Sequence, residues 1–153
     1  MLLTDPDLRR RSRILASLVT LVLVLLLFAV SVELLAMIRG RLTPHYLALR
    51  LPVPFYLWAI WSVRGLIVAV GEGRGHDRIL APMLQRTGIA LFLGGISAVF
   101  IAPWISRLIW GRGPIAYYDV AAITVGVIGL ALVIVAYLLG QASEMRQELD
   151  EIV

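Results

Sequence analysis

The stretch RRRSRILASLVTLVLVLLLFAV (residues 9–30) decides the fold. Four arginines within five positions lead into an apolar run that meets no charged residue until Glu33. A secretory signal has a shorter apolar region, roughly 7–15 residues, and a small-x-small cleavage site soon after it. Here the run continues to Ile38 and no such site follows promptly. The stretch reads as a retained membrane helix over residues 14–38.

Working outward, the whole chain has the same character. Of its 153 residues, 60% are hydrophobic and 16% are charged, with a mean hydropathy of +0.90. A soluble domain of this size leaves a large part of its surface in water and needs more polar residues than this. Lipid is the solvent that this composition suits. A bilayer core about 30 Å thick takes roughly 20 apolar residues at about 1.5 Å each. Three further runs meet that length, at 51–70, 87–110 and 119–139. They are continuous and lack strand-like alternation, so helices are expected and not barrel strands. The expectation is an all-α membrane protein, one domain over 1–153. It has four transmembrane helices, the last extended by a tail over 140–153.

Arginine placement sets the direction. All 14 basic residues are arginine and the net charge is +4. With the N-terminus inside, Arg9, Arg10, Arg11, Arg13, Arg74, Arg78, Arg86 and Arg146 are cytoplasmic. Arg39, Arg41, Arg50, Arg107 and Arg112 then lie outside. The leading cluster dominates orientation, so both termini are expected in the cytoplasm, with the chain multi-pass in the cytoplasmic membrane. Tyr46, Tyr56, Trp58, Trp104, Trp110, Tyr117 and Tyr118 fall toward the outer side as an interfacial belt. In the third helix Ala90, Gly94, Ala98 and Ala102 recur every four positions, with Ala122 and Gly126 in the fourth. Such smooth stripes let backbones approach, so a tight hairpin of the third and fourth helices is expected. A weak internal echo aligns Gly40, Arg41 and Tyr46 with Gly111, Arg112 and Tyr117 at one offset.

Ionisable groups at depth carry either structural anchoring or a substrate pathway. Glu33 and Arg64 qualify, with Arg107 near the outer end of the third helix. At about 1.5 Å per residue, Glu33 lies about 7–8 Å below one surface and Arg64 about 9 Å below the other. That separation is too large for a direct pair. Arg107, Arg39 and Arg112 are the expected partners of Glu33. Arg64 is expected either to snorkel to the headgroups or to turn inward to Glu72 or Glu144.

Chemistry that needs particular side chains finds little support. Cysteine is absent, which removes disulfides and thiol ligands. His45 and His76 lie in loops on opposite faces, and no serine–histidine, paired-aspartate or zinc motif occurs. A non-enzymatic protein without metal or cofactor is expected. Direct nucleic-acid binding is not, because the arginines are scattered between apolar segments.

The loop GEGRGHDRILAPMLQR (residues 71–86) lacks both P-loop and dinucleotide-site spacing. It reads as a hinge followed by a short amphipathic segment, RILAPMLQR, resting on the headgroups or docking a protein. The tail GQASEMRQELDEIV (residues 140–153) sets Glu144, Glu148, Asp150 and Glu151 against Arg146 alone, with an apolar side of Met145, Leu149, Ile152 and Val153.

With LPVPFYLWAIWSVRGLIVAVGEG (51–73), LQRTG (84–88) and EMRQELDEIV (144–153), the chain resembles a large bacterial family of small four-helix membrane proteins of unknown function. The resemblance spans most of the chain. His76 and Asp77 stand where that family's pattern has a phenylalanine, and DEIV departs from its usual threonine-containing end. Members are often encoded beside a very small cytoplasmic helix-turn-helix regulator. The resemblance therefore implies a protein that binds and sequesters such a regulator, in response to an envelope signal. Arg74, His76, Asp77, Arg78, Arg86, Glu144, Glu148, Asp150 and Glu151 form the implied docking surface. Glu33, Arg64 and Arg107 would organise the bundle or sense a ligand. The alternative is a transporter, channel or lipid-ligand-binding protein. Four helices are few for transport, so that reading needs a homo-oligomer around a polar path.

Overall fold

The computed structural model describes residues 6–40, 48–71, 77–111 and 114–150. Its regular structure is all helix: α1 (Pro6–Ile38), α2 (Val53–Gly71), α3 (Asp77–Ile96), a π-helical turn (Ser97–Ile101), α4 (Ala102–Trp110) and α5 (Val120–Asp150). The segment from α3 through the π-turn to α4 is one continuous rod. Four spans result, each long and apolar enough to cross a membrane.

Helix ends follow local chemistry. Gly40 and Gly111 adopt left-handed φ values of 68° and 67° after α1 and α4, a conformation that costs a residue with a Cβ. These are the two glycines of the internal echo, so the echo marks the same C-terminal stop used twice. At the start of α5, Asp119 Oδ1 accepts the Ala121 N–H at 2.9 Å, an ordinary N-cap.

The third span begins earlier than its hydropathy implies. Residues 78–86, expected as a separate amphipathic rest, are the opening turns of α3. Pro82 lies inside that helix, close enough to its start to forfeit few backbone bonds. Met83 Cε lies 3.8 Å from where a Cβ on Gly65 would stand, so this segment leans on α2.

Each span packs extensively only against its sequence neighbour: α1 on α2, α2 on α3, and α3 on α5. The helices form a row of antiparallel hairpins in place of a closed bundle. What lies between them is small: Ala59, Ala90, Ala102, Ala122 and Ala136 are all buried. What faces outward is large, with Phe28 at 67% exposure and Leu25 at 58%. This is the arrangement a bilayer favours: lipid tails are as apolar as leucine, so association there depends on close backbone approach and not on burying large side chains.

The α3–α5 hairpin is close-packed, as the small residues imply; on α5 it uses the expected Ala122 and Gly126, but on α3 it uses Gly88 and Gly95 in place of the expected stripe. A Cβ on Gly95 would stand 2.8 Å from Ala122 O and 2.9 Å from Gly126 Cα. One on Gly88 would stand 2.5 Å from Gly129 O. Gly88 and Gly95 are seven residues apart, as are Ala122 and Gly129. Seven-residue spacing suits a left-handed pair, whereas the four-residue stripe of Ala90, Gly94, Ala98 and Ala102 suits a right-handed one. Gly94 of that second stripe turns to α2, where its missing Cβ makes room for the Tyr56 ring. A helix in mid-row needs a smooth face toward each neighbour, and α3 has both.

The π-turn has an identifiable cause. Pro103 has no N–H to give the carbonyl four residues earlier, that of Val99. The turn widens, with the Ala102 N–H donating to Ser97 O, and Val99 O accepts the Tyr117 N–H at 2.9 Å. The chain after Gly111 is thereby pinned back along the rod before α5 begins.

Candidate functional site

The α1–α2 hairpin carries the polar groups that lie within the apolar spans, and its register places them. Gly71 meets Ser12, Arg64 meets Thr20, and Arg50 meets Glu33. Eight steps along α1 from Ser12 to Thr20 match seven steps back along α2, and thirteen from Thr20 to Glu33 match fourteen. The two chains run antiparallel in constant register from end to end.

Glu33 therefore pairs with Arg50, through Arg50 Nη2 and Glu33 Oε1. The expected partners Arg107 and Arg39 are exposed and do not form this pair, and Arg112 lies outside the described residues. The reason is the row: α1 packs on α2, so the arginine at the mouth of α2 is near and one on the third span is not. Arg107 instead caps the rod, its carbonyl accepting the Gly111 N–H at 2.8 Å.

Arg64 neither reaches Glu144 nor leaves the hairpin. Its Nε–H donates to Thr20 Oγ1 at 2.8 Å, and its guanidinium lies 5.5 Å from the centroid of the Trp61 ring. Thr20 Oγ1 in turn donates to Ala16 O at 2.6 Å, which aims its lone pairs at the arginine. Glu72, the other expected partner, lies outside the described residues. Thr20 is a partner that hydropathy cannot flag, because a threonine is unremarkable in an apolar helix. Counting from the α1–α2 turn does not find it either, because Thr20 lies 18 residues before the end of α1 at Ile38 and Arg64 only 11 after the start of α2 at Val53.

Beside this contact runs an open groove of 620 Å³. Its polar lining is Arg13, Ser17, Thr20 and Arg64. Ala16, Leu21 and Val24 complete it. Glu33, about 20 Å farther along α1, is not part of the lining. A second groove, 330 Å³ and lined without polar surface, lies between α1, α2 and α3. Leu18 and Val22 place it on the opposite flank of α1, by helical periodicity.

At the π-turn the Ser97 hydroxyl is fully buried, and among the described residues it has no hydrogen-bond partner. The Asp119 carboxylate lies within electrostatic reach of the Tyr56 hydroxyl, near the same level of the row.

At the end that bears the termini, Arg86 is exposed on α3 and Glu144 is exposed on α5. Asp77 and Arg78 open α3, and Glu148 and Asp150 belong to the last turns of α5, but their side chains lie outside the described residues. Arg74, His76 and Glu151 lie outside them altogether. α5 runs unbroken to Asp150, eleven residues past Leu139, or about 16 Å of helix. The α3–α5 register puts Arg86 and Glu144 toward the same end of the hairpin. Compared with protein families, with characterised proteins and with solved structures, the chain matches none.

Proposed function

We propose that the protein is a non-enzymatic, multi-pass inner-membrane protein that holds a small cytoplasmic helix-turn-helix regulator at the end bearing its termini. The observation that carries this reading is the unbroken continuation of α5 to Asp150. A helix that leaves its apolar span and keeps going carries Glu144, Glu148 and Asp150 as helical positions. A regulator that binds DNA has a basic face for phosphates, and an acidic rod is complementary to it. Competition for that face would keep the regulator from its operator. The leading arginine cluster supports a cytoplasmic position for this end.

The transport reading requires a polar path that joins Glu33 to Arg64. Glu33 is engaged with Arg50 at one end of the hairpin, and Arg64 with Thr20 about 20 Å away. The sequestration reading is favoured for that reason.

The test is co-purification in mild detergent from cells expressing tagged full-length chain, a chain ending at Gly140, and a Glu144→Gln, Glu148→Gln, Asp150→Asn variant. The expected result is a small basic DNA-binding protein retained by the full chain and lost from the other two. Equal recovery with all three overturns the role of the tail. A full-length protein that purifies with no companion overturns the proposal itself.

A further inference from the structure

We propose that the groove between α1 and α2 binds the phosphate of an anionic phospholipid, held between Arg13 and Arg64 with Ser17 in the middle. This inference requires the four spans to lie in a bilayer, but not the presence of a protein partner.

The charge balance comes first. The groove presents two guanidinium groups, and among the described residues no carboxylate lines it. Among the described residues Arg64 forms no ion pair, its contacts being a hydroxyl and an aromatic face. An arginine set into an apolar span without a counter-ion is costly, and its remaining N–H groups need acceptors. Only Nε is used by Thr20, which leaves both terminal nitrogens for a ligand.

Position comes next. Arg13, Ser17, Thr20 and Val24 fall on one stripe of α1, at intervals of four, three and four. Arg13 is about 10 Å nearer the helix end than Thr20, and Arg64 is level with Thr20. One arginine thus stands at headgroup depth and the other below it, and a phosphate between them is within the joint reach of two long side chains. Ser17 lies at the intermediate height. The hydroxyls of Thr20, Ser31, Thr87 and Thr124 turn back onto carbonyls four residues earlier. Ser17 forms no such bond among the described residues, so its O–H is left to donate into the groove.

The remaining lining selects the occupant. Beyond Arg64 the groove continues over Leu21 and Val24, a surface for an acyl chain and not for a soluble anion. Among the described residues no other helix packs on this flank of α1, which leaves it open to lipid when the spans lie in a bilayer. A zwitterionic headgroup brings a quaternary cation to two arginines and is disfavoured. Phosphatidylglycerol brings a phosphate and a neutral polyol, which fits two charge-assisted donors and a hydroxyl.

The experiment is native mass spectrometry of the purified full-length chain titrated with palmitoyl-oleoyl-phosphatidylglycerol or the matching phosphatidylcholine. One phosphatidylglycerol per chain is expected, with about a tenfold preference over phosphatidylcholine. R13Q is expected to weaken retention about tenfold, R64Q to abolish it, and S17A to weaken it less. R11Q, at the same end of α1 but outside the groove lining, is expected to leave it unchanged. Arg13 is exposed near the end of α1, so R13Q reads binding without threatening the fold. Equal retention of the two lipids overturns the proposal, as does an R13Q protein that binds like R11Q. Displacement of the lipid by an equal concentration of inorganic phosphate would assign the groove to a soluble anion and overturn it too.

Discussion

Arg64 donates its Nε–H to Thr20 Oγ1 at 2.8 Å, and Thr20 passes its own proton donor to Ala16 O at 2.6 Å. This two-step relay ties α2 to α1 at the level where an arginine would otherwise face an apolar span with one donor fewer satisfied. The threonine acts as an adaptor. Its hydroxyl gives to the backbone of its own helix and receives from the neighbour.

Removing the adaptor tests that relationship. Thr20→Val keeps the shape and deletes the acceptor, so Arg64 loses one charge-assisted bond. A loss of about 1–3 kcal/mol is expected, with Thr20→Ser losing much less. Thermal or denaturant unfolding in one detergent measures both. Equal stability of the valine and serine variants would show that the relay contributes nothing.

The α3–α5 contact makes a prediction of opposite signs at two glycines. Gly95→Ala places a methyl group 2.8 Å from Ala122 O, where backbone must move, and a loss of about 1–3 kcal/mol is expected. Gly140→Ala meets nothing within 4 Å inside the same hairpin's second helix. There alanine should add about 0.5–1 kcal/mol through helix propensity. A melt of the two variants side by side decides it, and a stabilised Gly95→Ala protein would contradict the close contact.

Pro103 and Tyr117 are linked through a carbonyl. Pro103→Ala restores an N–H that competes for Val99 O and favours an ordinary α-helical turn in place of the π-turn. The Tyr117 amide then loses its acceptor. Amide hydrogen exchange followed by mass spectrometry should show faster exchange in the segment containing Tyr117. Unchanged protection there would mean that the proline is not what frees Val99.

The Glu33–Arg50 pair is half open to its surroundings, at 41% and 56% side-chain exposure. Exposed ion pairs are worth about 0–1 kcal/mol. Glu33→Gln and Arg50→Gln should each lower stability by no more than about 1 kcal/mol, and a double-mutant cycle should give a small coupling that weakens with salt. A coupling several times larger would show that the pair sits in a far drier setting than its exposure implies.

Apolar length identified four spans and small-residue stripes a close hairpin between the last two, because each depends on length or on local chemistry; that Gly40 and Gly111 end helices through a left-handed φ was not read from the echo they form. Hydropathy was misled by residues 78–86. A proline and two arginines look like a break, yet a proline in the opening turns of a helix forfeits little, and α3 runs through it. The four-residue stripe also misled it, since spacing shows that a face is smooth and not which neighbour it meets.

What only the tertiary structure decided is adjacency. Depth along a helix can be counted from the sequence, and by depth Arg107, Arg39 and Arg112 were all reasonable partners for Glu33. The choice of Arg50 followed from the order of the row, in which α1 touches α2 and little else. The choice of Thr20 for Arg64 followed from the register of the same hairpin. Composition acts on one helix at a time through its preference for lipid or water, whereas a hydrogen bond between helices depends on two rotations and one vertical offset. Those are set by close packing of small residues against a neighbour, and no single segment contains them.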